Sequence, residues 1–225
     1  MDAASMRDKL LGWDLSERCR LYLVRHGQAA NVTDGVLRYN GHIDVGVSAE
    51  GIRQIEGVAQ YLRGKPITSV YCSDLNRSRT GAEAIARYHG LSPEAYPEFR
   101  EAKMGIWEGL TLGEIQEQYP EEIDKKFSDF PTYRVPGGEN LLDIRGRAIP
   151  KLKELVGMNR GREIVLVGHG GMNMVLLCEA LGLGLERFFR ITQANGCLNI
   201  IDYFHGTAVV RLMNGLVRDG LEGES

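Results

Sequence analysis

The sequence lacks the features that mark several large functional classes. Its four cysteines, Cys19, Cys72, Cys178 and Cys197, stand singly. Without a Cys-x-x-Cys pair, zinc-ribbon and thioredoxin-like sites have no support. No apolar run approaches the ~20 residues needed to cross a bilayer. Near the start, only Leu10-Leu11 accompanies Arg7, Asp8 and Lys9, which reads as neither a signal peptide nor an anchor. Neither sign of charge dominates, and a formal net charge of -3 over 225 residues gives no reason to expect nucleic acid or an anionic membrane as a partner. No Gly-x-Gly-x-x-Gly run follows the first apolar stretch, so a dinucleotide site is discounted. His42, His89 and His205 show no metal-ligand spacing, which leaves a metallophosphatase site unsupported. The expectation is a cytoplasmic protein with reduced thiols and no metal or cofactor.

What is present is an alternation of β-rich and helical stretches, 43% hydrophobic and 25% charged overall, as in ordinary globular proteins. Strands are predicted at about 20–25, 67–73 and 163–168, with a shorter one near Ala95-Tyr96. Ser48 is placed as the N-cap of a helix whose Ile52, Ile55, Val58, Ala59 and Leu62 form one apolar stripe. Ser73 or Asp74 is expected to cap a second helix over 76–89. Thr111 and Glu114 have capping-box spacing, and a long helix over 139–157 carries Pro150 inside it, where a kink is expected. A helix follows at about 171–181, and a loop with a short helix occupies 185–195. The segments 199–203 and 208–212 are predicted to pair as a hairpin across His205-Gly206. This alternation implies an α/β fold, a three-layer α/β/α sandwich around a mostly parallel mixed sheet with an antiparallel edge hairpin. One domain is expected over 19–213, with a lid or insertion at about 105–137. Residues 1–18 read as an N-terminal extension, an extra helix or loose arm, and 214–225 as a flexible tail.

Two stretches share one shape. Arg20-Leu21-Tyr22-Leu23-Val24-Arg25-His26-Gly27 and Glu163-Ile164-Val165-Leu166-Val167-Gly168-His169-Gly170 are both apolar strands ending in His-Gly. Parallel strands deliver functional groups at their C-terminal ends. Arg77 follows the second strand and reaches the same edge. Two arginines and two imidazoles brought to one place are costly unless an anion compensates them, and guanidinium with closely approaching backbone suits phosphate. A histidine ending one strand is ordinary; the four residues together point to a phosphate pocket.

These motifs resemble the histidine phosphatase superfamily, which includes the cofactor-dependent phosphoglycerate mutases. The similarity runs in order through Val24-Arg25-His26-Gly27-Gln28, Gly41-His42-Ile43-Asp44, Tyr71-Cys72-Ser73-Asp74-Leu75-Asn76-Arg77, Phe99-Arg100-Glu101, Gly105-Ile106-Trp107-Glu108-Gly109, Pro136-Gly137-Gly138-Glu139-Asn140 and Val167-Gly168-His169-Gly170-Gly171. The resemblance implies a phosphoglycerate mutase-like fold and a phosphohistidine formed on His26. It makes Arg25, Arg77, His169 and Gly170 the phosphate-binding groups and Glu101 the proton donor and acceptor. That last role asks for a raised carboxyl pKa, so Glu101 is expected in a cramped or acidic setting. Where the family carries a further asparagine ligand this chain has Val32, and Asn31, one residue earlier, takes the role. Glu108 is a second carboxylate, expected to form a turn. Lys103, Tyr133, Arg134 and Gln193 are candidate contacts to the substrate's tail.

The Gly-x-Trp-Glu-Gly form at 105–109 is more like the phosphatase branch. The implied activity is that of a phosphoric monoester hydrolase of the histidine acid phosphatase type, acting without metal on a small-molecule phosphate monoester. Phosphoglycerate mutase-type transfer and a non-catalytic phosphate-binding relative are the alternatives, and a homodimer is left open.

Overall fold

The computed structural model describes residues 11–32 and 35–217. Helix or arm formation at 1–10 and the tail at 218–225 therefore lie outside the described residues. Six strands form one sheet in the order β3-β2-β4-β1-β5-β6. They are β1 (Cys19–Arg25), β2 (Ile67–Cys72), β3 (Glu94–Ala95), β4 (Glu163–Gly168), β5 (Leu198–Phe204) and β6 (Thr207–Gly215). β1, β2, β3 and β4 run parallel, while β5 lies antiparallel to both β1 and β6. The hairpin of β5 and β6 closes one edge of the sheet, so the architecture is the mixed sandwich that the alternation implies.

Side chains alternate across the central strands and divide the core in two. Leu21, Leu23, Ile164 and Leu166 face helices α5 (Leu141–Met158) and α6 (Gly170–Leu181), where they meet Ile144, Leu152, Val175 and Leu176. Tyr22, Val24, Val165 and Val167 face α1 (Ala49–Leu62) and α2 (Asn76–Ala86), meeting Ile55, Val58, Leu62 and Ile85. Both central strands are covered on both faces, which explains their unbroken apolar runs. On α1, Ile52 lies at the margin of the stripe and stays exposed.

A smaller cluster holds the segment between β3 and α5. Trp107, Ile115 and Val135 are its buried members, joined by Tyr39, Leu110 and Tyr119. Two short helices occupy this segment, α3 (Leu112–Gln118) and α4 (Pro120–Ser128). Thr111 and Glu114 form the capping box at the start of α3. Lys126 is buried and donates to the carbonyls of Phe130 (3.1 Å) and Tyr133 (2.8 Å), which folds the chain after α4 back on itself.

Several local expectations are corrected. α2 is not capped by Ser73 or Asp74: Leu75 is its N-cap and supplies no side-chain hydrogen bond, because both polar groups are used elsewhere. α2 ends at Ala86, and 87–89 tighten into a 3₁₀ turn. α5 continues through Pro150 as one helix, so the proline does not break it. β6 continues through Asn214 and Gly215, and Val217 packs against the α1 side of the core. The boundary placed after residue 213 is therefore too early, since Asn214 accepts a hydrogen bond from the Ala194 N–H (2.7 Å). In the N-terminal stretch, Trp13 stacks on Phe204 with ring centroids 5.0 Å apart, and Arg18 pairs with Glu163.

Candidate active site

β1, β4 and β2 are neighbours and point the same way, so their C-terminal ends converge. The site residues leave the sheet there: Arg25 and His26 after β1, Ser73 and Arg77 after β2, His169 after β4. The ladder extends one step past the strands, where the His26 N–H donates to the Gly168 carbonyl (3.0 Å). Gly27 permits what comes next. A Cβ there would lie 2.1 Å from the Gly51 carbonyl oxygen, so only glycine lets the turn after His26 cross the first turn of α1.

His26 is 6% exposed. Its Nδ1 lies 2.6 Å from the Gly27 carbonyl. A carbonyl only accepts, so Nδ1 carries the proton and Nε2 keeps its lone pair. Burial, followed by the nearby Arg25 and Arg77 charges, pushes the imidazole well below the usual histidine pKa, which keeps it neutral. The His169 ring meets it edge-on, with centroids 5.1 Å apart.

His169 is fully buried, and its pKa is also pushed well down, by burial, Arg77, His26 and Arg25 in that order. Its Nε2 lies 2.6 Å from the Ser73 hydroxyl oxygen. That oxygen is also approached by the Leu75 N–H at 3.4 Å, so the Ser73 proton is free to point at Nε2. In that arrangement Nδ1 bears the other proton, and Nδ1 is a buried atom with no hydrogen-bond partner in the protein. Buried donors of this kind are rare unless a ligand serves them.

Arg25 donates from Nη1 to the Gln193 carbonyl, while its buried Nε has no partner in the protein. Arg77 is 1% exposed and donates to the carbonyls of Ile43 (2.8 Å) and Gly41 (2.7 Å). Neither guanidinium is paired with a carboxylate among the described residues. Burial lowers both pKa values, with the Glu101 charge opposing the shift. Two desolvated cations beside two neutral imidazoles are an arrangement that an anion would compensate. Gly170 fits the same space: a Cβ there would sit 3.2 Å from the Arg25 guanidinium carbon.

Glu101 does not sit in the cramped or acidic setting expected of it. Its carboxylate accepts from the N–H groups of Ala102 (2.9 Å), Gly171 (2.9 Å) and Met172 (3.1 Å). The last two belong to the first turn of α6, whose N-cap His169 provides no side-chain bond. Glu101 therefore caps α6 from a distant loop. Gly171 makes room for it, since a Cβ there would fall 2.7 Å from Oε1.

The remaining candidates are placed elsewhere. Asn31 exchanges two side-chain hydrogen bonds with Asn40 (2.6 and 3.1 Å) and so braces its own loop. Glu108 accepts from the His42 and Met104 N–H groups and shapes a turn. Tyr133 bonds Glu122 and Arg134 pairs with Asp143, which ties both up at the surface. Gln193 is buried, exchanges hydrogen bonds with Asn199 (2.8 Å each) and presents its carbonyl to Arg25. Sequence reasoning missed Ser73 as the partner of His169. Its place directly at the end of β2 was the available signal.

The chain is similar to other proteins over most of its length. The family model described as histidine phosphatase superfamily (branch 1) matches residues 21–215. A protein named probable phosphoglycerate mutase GpmB from Yersinia pestis (strain Pestoides F) is 30% identical over 184 residues, covering 82% of this chain and 85% of its own. Among solved structures, the α-ribazole phosphatase from Shigella flexneri superposes with a TM-score of 0.78 at 26% identity, covering 91% of this chain and 100% of that one. A mycobacterial glucosyl-3-phosphoglycerate phosphatase gives a TM-score of 0.78 at 26% identity, covering 88% and 99%. With a family match that runs from β1 through β6, and with the two His-Gly strand ends side by side, the chain belongs to branch 1 of the histidine phosphatase superfamily.

Proposed function

We propose that the chain is a phosphomonoesterase that needs no metal and hydrolyses a small phosphorylated metabolite through a phosphohistidine on His26. The observation that carries this reading is the state of His26: neutral, with Nδ1–H given to the Gly27 carbonyl and Nε2 left as a lone pair among buried cations. A phosphate dianion bound by Arg25 and Arg77 brings its phosphorus to that lone pair. His169 Nδ1–H and the first backbone N–H of α6 add donors to the phosphoryl oxygens.

In the first step the Nε2–P bond forms, the P–O ester bond breaks, and the leaving oxygen takes a proton from the Glu101 carboxyl. In the second step water attacks phosphorus, Glu101 takes the water's proton, and the N–P electrons return to Nε2. Inorganic phosphate is released with the site restored. The segment 105–137, with its own small core, would cover the substrate's tail.

Phosphoryl transfer between phosphoglycerate positions is the second reading, favoured by the resemblance to GpmB-type proteins. Two of the solved relatives are phosphatases by name, which favours hydrolysis. Purified protein given 3-phosphoglycerate and a panel of sugar phosphates separates the two. Release of inorganic phosphate, without interconversion of phosphoglycerate isomers, supports the phosphatase. Isomer interconversion faster than phosphate release supports the mutase. Tight phosphate binding with neither reaction would identify a non-catalytic relative.

A further inference from the structure

The Glu101 loop is gripped from behind by one arginine that none of the catalytic steps uses. Arg147 lies in the second turn of α5 and is largely buried. Its Nη1 donates to the carbonyls of Glu98 (2.7 Å) and Arg100 (2.8 Å). Its Nη2 donates to the Glu101 carbonyl (3.0 Å) and to Glu139 Oε2 (2.9 Å). Its Nε donates to Glu139 Oε1 (2.9 Å). All five N–H donors of the guanidinium are thereby engaged, three on carbonyls within residues 98–101 of the acid-bearing segment and two on one carboxylate. A lysine ammonium, with three donors radiating from one point, cannot reproduce this fork.

Glu139 is itself fixed. Its Oε2 accepts from the Lys103 N–H (2.9 Å), and its own N–H donates to the Lys103 carbonyl (2.8 Å). Burial is the largest single influence on its carboxyl and pushes the pKa up, but the Arg147 hydrogen bonds and charge, the Lys103 N–H and the nearby His42 together hold it below the ordinary range. The Glu101 carbonyl accepts a second bond, from His42 Nε2 (3.0 Å). Phe99, fully buried, pins the loop from below, and Arg100 is paired with Asp74 on its outer side. The backbone of 98–103 is therefore immobilised on both flanks. From this braced backbone the Glu101 carboxylate reaches the first turn of α6.

We infer that Arg147, oriented by Glu139, is a positioning residue that sets the reach of the Glu101 carboxyl to the leaving oxygen. Misplacing a reacting group by about 1 Å costs on the order of a hundredfold in rate. Such a loss should appear only where Glu101 does its work. The inference rests on Glu101 being the proton donor, and the experiment checks that separately.

The test compares wild type, R147K, E139Q, E101Q and the double variant E101Q/R147K on two substrates. One is an alkyl phosphate, whose leaving oxygen needs a proton; the other is 2,4-dinitrophenyl phosphate, whose leaving group departs without one. Inhibition by inorganic phosphate monitors the pocket. For R147K we expect kcat/KM on the alkyl phosphate, which reports the first step alone, to fall about thirtyfold or more, with kcat/KM on 2,4-dinitrophenyl phosphate and inhibition by phosphate within about threefold of wild type. E139Q leaves the three carbonyl bonds in place and loosens only the orientation, so it should show the same selectivity in smaller degree. It also reports if R147K does not fold. In the E101Q background, R147K should add less than about twofold. Equal losses on both substrates, or a full loss retained in the E101Q background, would overturn the positioning role. If E101Q alone lowers kcat/KM for both substrates alike, the proton-donor reading fails first, and this inference fails with it.

Discussion

The Ser73 hydroxyl could have capped α2, and by sequence pattern it should have. It faces His169 Nε2 instead, and α2 starts without a side-chain cap. A missing cap costs about 1 kcal/mol; in exchange, one tautomer of His169 is selected in a buried site. Asp74 makes a similar diversion, pairing with Arg100 beside the acid loop. Ser73 touches a pocket histidine and Asp74 braces the neighbouring acid loop, and around a functional site local propensity is expected to be overridden. His26, His169, Arg25 and Arg77 were legible because strand ends and motifs mark them directly. The bonds of Glu101 to α6 were not legible, since nothing local links 101 to 171 and 172. A pH dependence follows from the two imidazoles. Both have folded pKa values depressed below the ordinary 6.5, so between 6.5 and those values the unfolded chain binds more protons. Their contribution to stability is present above pH 6.5 and lost as pH falls below it. Thermal midpoints should drop between pH 7 and pH 5, and less steeply in H169Q. An unchanged slope in H169Q would remove His169 as a source.

Elements meet at this site through glycines. Gly27 crosses Gly51 with backbone against backbone, and a Cβ on Gly51 would lie 2.3 Å from the Gln28 carbonyl oxygen. Backbone cannot yield as a flexible side chain does. G27A is therefore expected to destabilise by about 3 kcal/mol or more, measured by urea unfolding, and to displace the His26 turn. A loss under 1 kcal/mol would show that α1 can shift to accommodate it. The order and type of elements was readable from periodicity, because β1 and β4 are buried on both faces and α1 carries one clear stripe. Boundaries were less readable. β6 outlasts its apolar pattern because Asn214 uses its side chain to hold the 194 loop, a tertiary interaction with no local signature.

Across the whole molecule, three neighbouring parallel strands deliver a lone-pair imidazole, two buried guanidiniums and a second imidazole to one edge. The proposed chemistry depends on that convergence. No helix among the described residues is long and apolar enough to cross a membrane. Hydrolysis is predicted to be unaffected by EDTA; a loss that added metal restores would refute the proposed steps. At the other end of β1 from the site, Asp202 is fully buried and bonded to Arg20 and Arg211. The central claim is that phosphorus becomes bonded to His26. Rapid acid-free quenching after mixing with a substrate labelled in its phosphoryl group tests it most directly. The expected result is one acid-labile, base-stable phosphoryl group per chain, mapped to His26 and absent in H26A. Label of the same kind on the H26A variant, or label on another residue of the wild type, would contradict it.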